Sequence, residues 1–173
     1  MGRRYLPVTV QPDSSSTLPS PVQRVVDALR ERGVDFELRR LGASTRTARE
    51  AAAAVGCEVG RIVKSLVFVA GAEPVVVLAA GAHRVALGRL EAVLGVPARP
   101  ASPAQAEAAT GFPVGAIPPV GHARPLRVVM DEALLAYPQV WAAAGTAQAL
   151  FAADPRELRR ATRARVAAIG GGG

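Results

Sequence analysis

The fold is decided by the stretch IVKSLVFVAGAEPVVVLAA, residues 62–80. Both halves are rich in β-branched residues, and the linker between them, residues 70–73, contains a glycine that permits a tight turn. This pattern predicts a β-hairpin with strands over 62–70 and 74–80. Shorter runs of the same character predict further strands at 36–41, 127–130, 139–143 and 149–152.

Helix starts surround this hairpin. A potential capping side chain stands three residues before Glu or Gln in four segments: Ser20–Gln23, Thr47–Glu50, Ser102–Gln105 and Asp154–Glu157. Each of these predicts a helix, the first over about 21–32 and the second over about 48–55, and a short helix is predicted at 90–94. Because helices interleave with hairpins rather than alternating with single strands, the sequence predicts an α+β fold with a mixed sheet.

The composition fits one globular domain: 173 residues, 50% hydrophobic, 20% charged, with a net charge of +7. We interpret residues 1–18 as a flexible arm, 19–168 as the domain and 169–173 as a glycine tail. No apolar run approaches the roughly 20 residues that cross a bilayer, and the N-terminus is a poor signal peptide. We therefore expect a cytoplasmic protein that does not enter membranes.

Familiar catalytic and cofactor motifs are absent. The sequence contains no G-x-S-x-G elbow, no phosphate-binding G-x-x-x-x-G-K-[ST] loop and no G-x-G-x-x-G fingerprint. The single cysteine, Cys57, excludes an intramolecular disulfide and has no zinc-ligand spacing with His83 or His122. A Cys57 nucleophile would need one of these histidines to fold beside it, and a half-buried structural thiol is the simpler interpretation. We expect neither a metal nor another cofactor.

One lysine stands out. Of the 21 basic residues, 20 are arginine, and the exception is Lys64 at the start of the first hairpin strand. An ammonium in such an apolar strand either reaches back to water or points into a cavity where anionic ligand groups meet it. An ordinary lysine at a strand end is the alternative.

One loop also stands out. Residues 110–122 contain three glycines and three prolines, which impose an irregular backbone, and Gly115 lets another molecule approach the main chain closely. Such a loop can aim backbone N–H groups at a carbonyl oxygen or a phosphate. The alternative is a structural crossover between two elements.

Together these features resemble a known family. The segments 63–68, 110–121, 131–135 and 140–146 occur in the order found in the YbaK/EbsC family of aminoacyl-tRNA deacylases, which is related to the editing domain of bacterial prolyl-tRNA synthetase. The resemblance covers roughly residues 22–162, and its most specific elements are Lys64 and the G-x-x-x-P segment from Gly115 to Pro119.

The resemblance implies a barrel-like mixed sheet flanked by helices and a pocket for the aminoacylated 3′-terminal adenosine of a mischarged tRNA. It implies catalytic roles for Lys64 and for Gly115, without a protein nucleophile, and we expect both to open onto one nucleoside-sized cavity. The implied substrate-binding residues are Thr45, Arg46, Thr47, Phe112, Val114, Ala116, Ile117, Pro119, His122, Asp131 and Gly145. Asp131 and Thr47 are explained equally well as helix caps.

The substrate that the resemblance implies is a small amino acid, cysteine or alanine, carried by tRNA for proline. In relatives that act on cysteinyl-tRNA a serine can precede the glycine near the last barrel strand, whereas residues 142–144 are all alanine here. A synthetase is a possible further partner, and the sequence leaves the oligomeric state open. A module that binds aminoacylated 3′ ends without turnover, and a general nucleic-acid binder that uses the positive charge, are the alternatives.

The tRNA body would be held by less specific contacts. Four arginines at helical spacing on the last predicted helix form one basic face: Arg156, Arg159, Arg160 and Arg163. A solvated helix face is an equally good explanation of this stripe.

Overall fold

The computed structural model describes residues 17–171, which contain five α-helices and ten β-strands. The helices are α1 Ser20–Glu31, α2 Ala48–Val55, α3 Leu87–Leu94, α4 Pro103–Thr110 and α5 Pro155–Thr162. The strands are β1 Glu37–Arg40, β2 Ile62–Ala70, β3 Glu73–Ala80, β4 Arg84–Val85, β5 Ala98–Pro100, β6 Arg127–Asp131, β7 Val140–Ala143, β8 Ala149–Ala153, β9 Arg165–Ala167 and β10 Gly170–Gly171. Two short 3-10 helices span Val59–Arg61 and Glu132–Ala136.

The hairpin of β2 and β3 lies at the centre of the main sheet, whose order is β1-β8-β7-β2-β3-β6-β9. The two hairpin strands are antiparallel, whereas β7 runs parallel to β2 and β6 runs parallel to β3. The α+β class with a mixed sheet and flanking helices is therefore confirmed. The strand path ends at β1 and β9, which do not pair in the described residues, so the sheet does not close into a barrel.

The two faces of the sheet are covered differently. Because side chains alternate along a strand, Val63 and Val67 of β2 face the main core with α1, while Phe68 faces the core under α3 and Ile62 packs beside α2. This alternation decides which residues can meet Lys64, since Lys64 shares a face with Ile62 and Phe68.

The predicted helix starts are confirmed at three caps and wrong at one. The side chains of Thr47, Ser102 and Asp154 each accept a backbone N–H of the first helical turn. Ser20 is not a cap, because it is already the first residue of α1 and the preceding Pro19 occupies the cap position. Among the described residues, no helix has the length and the apolar character required to cross a membrane.

The glycine tail is wrong where the structure describes it. Ile169 is fully buried, and Gly170–Gly171 form β10, which pairs antiparallel with Arg84–Val85. The ordered domain therefore extends to at least residue 171. The predicted N-terminal arm lies almost entirely outside the described residues.

Candidate active site

Lys64 lies on β2 opposite Ala79 of β3 and is half-buried. Its Nζ donates a hydrogen bond to the main-chain oxygen of His83. Burial lowers the pKa of the Lys64 ammonium, and the nearby positive charge of Arg84 lowers it further, against the opposing effect of Asp131. In the described part of the chain Lys64 forms no ion pair with a carboxylate, so its charge is not neutralised within the protein.

Asp131 and His83 hold the acceptor of this lysine in place. The Oδ2 atom of Asp131 lies 2.9 Å from Nδ1 of His83 and also accepts the N–H of Ala80 at 3.2 Å, while its Oδ1 accepts the N–H of Ala133. Three contacts therefore fix one carboxylate, and through His83 they fix the hydrogen-bond acceptor of Lys64.

The substrate-binding role of Asp131 stays a prediction. Its side chain is almost fully buried and is occupied by protein partners. The alternative of a helix cap is confirmed, because Oδ1 caps the 3-10 helix that follows β6. His83 was missed as a supporting residue, since 48 residues separate it from Asp131 and no local motif marks it.

The edge of β2 beside Lys64 is open. On that side β7 pairs with Ile62 and Val63, and β5 pairs with residues 68–70. Between them only Val67 is engaged, through its main-chain oxygen, so residues 64–66 have no strand partner there. In the same short segment, Oγ of Ser65 is buried without a hydrogen-bond partner in the described residues.

The glycine-proline loop presents a mixture of exposed and buried residues. Val114 is 61% exposed, and Gly115 has φ 91° with no atom within 4 Å of where a Cβ would stand. Ala116 and Ile117 are buried, and the N–H of Ala116 donates to the main-chain oxygen of Pro113. Ala116 is therefore not an available donor, whereas neither Gly115 nor Ile117 donates its N–H to another residue of the described part.

Two predicted substrate-binding residues are buried. Phe112 is fully buried in the main core, and the guanidinium of Arg24 lies 4.7 Å from its ring centroid. Gly145 is buried, and a Cβ on it would lie 2.7 Å from the main-chain oxygen of Pro21 and 3.2 Å from the Phe112 ring. Both residues pack against protein atoms, and their substrate-binding roles stay predictions.

Four other residues predicted to bind substrate have the following surroundings. Thr45 donates its N–H and its hydroxyl to the main-chain oxygen of Ala147. Arg46 is exposed, and Thr47 caps α2, as the alternative for it proposed. Pro119 is buried.

His122 is half-buried, and its Nε2 lies 2.6 Å from the oxygen of Pro118. Burial lowers the pKa of His122, against the opposing effect of this hydrogen bond, and the positive charge of Arg32 lowers it further.

Lys64 and the buried part of the loop lie on opposite faces of the sheet. Ile117 and Val120 pack in the core on the face that carries Val63, opposite the face that carries Lys64. A cavity of about 740 Å³ is lined by the end of the loop, residues 119–122, but neither Lys64 nor Gly115 lines it. A nucleoside-sized pocket that joins Lys64 and Gly115 therefore stays a prediction.

The predicted basic stripe on α5 is divided by its contacts. Arg156 pairs with Asp154, and Arg160 donates to the main-chain oxygens of Arg32 and Gly33 at the end of α1. Arg159 is exposed, and Arg163 adopts a left-handed conformation after the helix. In the described residues no three His, Cys, Asp or Glu side chains come together as metal ligands would.

Comparison with known proteins places this architecture. A model of the aminoacyl-tRNA editing domain matches residues 43–161. A Bacillus subtilis (strain 168) protein of unassigned function, YwhH, is 30% identical over 116 residues, which is 66% of this chain and 74% of that protein. A crystal structure described as a candidate trans-editing enzyme for prolyl-tRNA synthetase is 48% identical, with a TM-score of 0.85 over 90% of this chain and 100% of that chain.

A second crystal structure, that of the hypothetical protein APE2540, is 33% identical with a TM-score of 0.82, over 86% of this chain and 99% of that one. The family match spans more than half of the chain, and it includes the open edge of β2, Lys64 and the glycine-proline loop. The chain therefore belongs to the aminoacyl-tRNA editing domain family.

Proposed function

We propose that the protein hydrolyses the ester of a mischarged aminoacyl-tRNA that carries a small amino acid, cysteine or alanine, on tRNA for proline. The observation that carries the proposal is the Lys64 ammonium, which is partly buried beside an open strand edge and bonded to a backbone oxygen rather than a carboxylate. Such a cation is available to an anionic ligand. The 48% identity to a candidate trans-editing enzyme supports the same reaction and the proline system.

The substrate would lie across the open edge of β2. Lys64 on one side would contact the terminal nucleotide and orient the ester, which contributes mainly proximity. On the other side, the exposed Gly115 has an N–H group without a partner in the described residues, and this group would stabilise the negative charge that develops on the carbonyl oxygen. Loss of one such donor commonly costs on the order of 100-fold in rate.

The reaction needs no protein nucleophile. A water molecule, or the thiol of a cysteinyl substrate, adds to the carbonyl carbon, the ester C–O bond breaks and the ribose hydroxyl leaves with a proton. Burial raises the pKa of the Cys57 thiol, with Arg61 acting in the opposite direction, and Sγ is bonded to the main-chain oxygen of Glu58. Both features disfavour the thiolate that a Cys57 nucleophile would require.

We expect Ala143, next to Lys64, to limit the size of the amino acid. Trp141 and Ala142 of β7 stand beside Ile62 and Val63 of β2, so the next residue, the half-buried Ala143, falls in line with Lys64. A methyl group leaves room for a compact amino acid. An apolar wall of this kind separates cysteine from alanine only modestly, because a difference of one small group is worth about 1–3 kcal/mol.

The test is deacylation of tRNA for proline charged with cysteine, alanine or proline. We expect release of cysteine or alanine but not proline, and loss of that activity in Lys64→Ala, with partial retention in Lys64→Arg, which keeps the charge. Exposed Arg49 on α2, changed to Ala, is the matched control for loss of one positive charge. Turnover of Lys64→Ala at the wild-type rate would remove Lys64 from the mechanism.

Binding without turnover is the second candidate function. The engagement of the Ala116 N–H by Pro113 favours it, because this leaves the loop with fewer donors for an oxyanion. The same assay separates the two: a binder would protect the ester from spontaneous hydrolysis rather than accelerate its cleavage.

A further inference from the structure

The cavity at the end of the glycine-proline loop is strongly basic. Six arginines line it, from the end of α1, from the segment that leads into β6, and from the segment that joins α5 to β9: Arg32, Arg124, Arg127, Arg160, Arg163 and Arg165. All six are exposed, and no Asp or Glu is among the lining residues. Three separate parts of the chain thus converge to place positive charge around about 740 Å³.

The charge of this cavity is not neutralised by the protein. In the described residues none of the six arginines forms an ion pair with a carboxylate. Arg160 and Arg165 donate to main-chain oxygens, which fixes their positions without cancelling their charge. A cleft lined by charges of one sign concentrates ions of the opposite sign, so the arrangement favours an anionic ligand.

One of the six arginines is held in an unfavourable conformation. Arg163 has φ 53° and is the only non-glycine residue with positive φ in residues 17–171. This conformation costs a side-chain-bearing residue about 1–2 kcal/mol, and glycine is the usual residue at such a helix end. An arginine at this position places a cation at the cavity at the expense of backbone strain.

A short piece of the loop joins the cavity to Gly115. Residues 119–122 form one of its walls, and residue 119 is four positions after Gly115. Four residues span at most about 14 Å of extended chain. A ligand held in the cavity can therefore belong to the same molecule as an ester at Gly115.

We propose that this arginine-lined cavity binds the sugar-phosphate backbone of the tRNA acceptor end, a few nucleotides from the esterified 3′ terminus. The proposal rests on the proposed function for the identity of the nucleic acid. Under this proposal the phosphate contacts lie in the cavity rather than along the outer face of α5. Of the four arginines of the predicted basic stripe, Arg160 and Arg163 line the cavity, whereas Arg156 and Arg159 do not. Arginine is suited to this task because its planar group binds phosphate oxygens in pairs.

The test compares two variants of equal charge. The double substitution Arg124→Gln and Arg127→Gln removes two exposed cavity arginines. The double substitution Arg156→Gln and Arg159→Gln removes two arginines of α5 that do not line the cavity, one of which pairs with Asp154. The dissociation constant of uncharged tRNA is measured at several salt concentrations. Because uncharged tRNA carries no ester, this readout is independent of the deacylation reaction.

We expect the cavity variant to bind tRNA at least about tenfold more weakly. The slope of the logarithm of the association constant against the logarithm of the salt concentration should be smaller in magnitude by about 1.4 to 1.8. The α5 variant should stay within about twofold of the wild-type value. Hydrolysis of 2′(3′)-O-alanyl-adenosine, which lacks the acceptor stem, should be the same in all three proteins. Equal losses of tRNA binding in both variants, or none in the cavity variant, would overturn the proposal, whereas failure to hydrolyse any ester would count against the proposed function alone.

Discussion

Two glycines with nearly the same backbone conformation have opposite surroundings, which makes them a matched pair. Gly115 has φ 91° and Gly145 has φ 95°, in a region that residues with a Cβ rarely adopt. A Cβ on Gly115 would meet nothing within 4 Å, whereas a Cβ on Gly145 would stand 2.7 Å and 2.9 Å from main-chain atoms of Pro21. Alanine at these two sites therefore separates backbone strain from steric overlap.

The expected magnitudes follow from these distances. Gly115→Ala should lower the free energy of unfolding by about 1–2 kcal/mol, the cost of the left-handed conformation alone. Gly145→Ala should cost that amount and a further 1–3 kcal/mol or so for overpacking against a main chain that cannot move aside cheaply. Urea unfolding followed by circular dichroism measures both values, and the two curves should have similar slopes.

The deacylation rate should be affected in the opposite order, more by Gly115→Ala than by Gly145→Ala. Under conditions where both are folded, Gly115→Ala should lower the rate about 10- to 100-fold, because a shifted loop misplaces an oxyanion donor, and Gly145→Ala should keep most of its activity. If Gly145→Ala were no less stable than Gly115→Ala, the packing argument would be refuted. If Gly115→Ala hydrolysed substrate at the wild-type rate, the loop would not belong to the site.

Three further predictions concern the support of Lys64, its protonation, and the role of Cys57. Asp131→Asn should lower the free energy of unfolding by about 3 kcal/mol in urea titration, since a buried carboxylate loses two of its hydrogen bonds. An unchanged midpoint would show that His83 and Ala80 do not depend on it. Burial lowers the pKa of Lys64, so the ammonium loses its proton at a lower pH than an ordinary lysine, whose pKa is about 10.4. Enzymatic deacylation, corrected for spontaneous hydrolysis, should therefore begin to fall with rising pH before that value is reached. Lys64→Arg should lack this decline, and a wild-type profile that is flat up to the ordinary value would contradict the assignment. Cys57→Ser should deacylate at the wild-type rate in the same assay, and inactivation would point to a thiol nucleophile after all.

Local patterns predicted the parts of the fold that local interactions determine. The span of β2 was predicted to the residue, and α2 follows from the Thr47 cap and the glycine at position 56. The short strands β4, β5, β9 and β10 were missed, because each has two or three residues and exists only through its pairing with a distant segment. Their sequences contain proline, arginine and glycine, which favour no strand by themselves.

The site was predictable where one residue was unusual and unpredictable where several ordinary residues converge. Lys64 could be singled out as the one lysine, and the loop by its glycines and prolines. The arginine-lined cavity could not, since its six members lie between positions 32 and 165 and arginine is common throughout the chain. The burial of Phe112 and Gly145 could not be predicted either, because it depends on contacts with distant segments such as α1.

The pairing of β10 with β4 makes glycine at position 170 a requirement of the active region. A Cβ there would lie 2.2 Å from Nδ1 of His83, the ring that Asp131 holds in place. Any larger residue at this position would push the imidazole away from its carboxylate and carry the carbonyl group that steadies the lysine along with it. A substitution at this apparently dispensable glycine would therefore reach Lys64 through two intermediate residues.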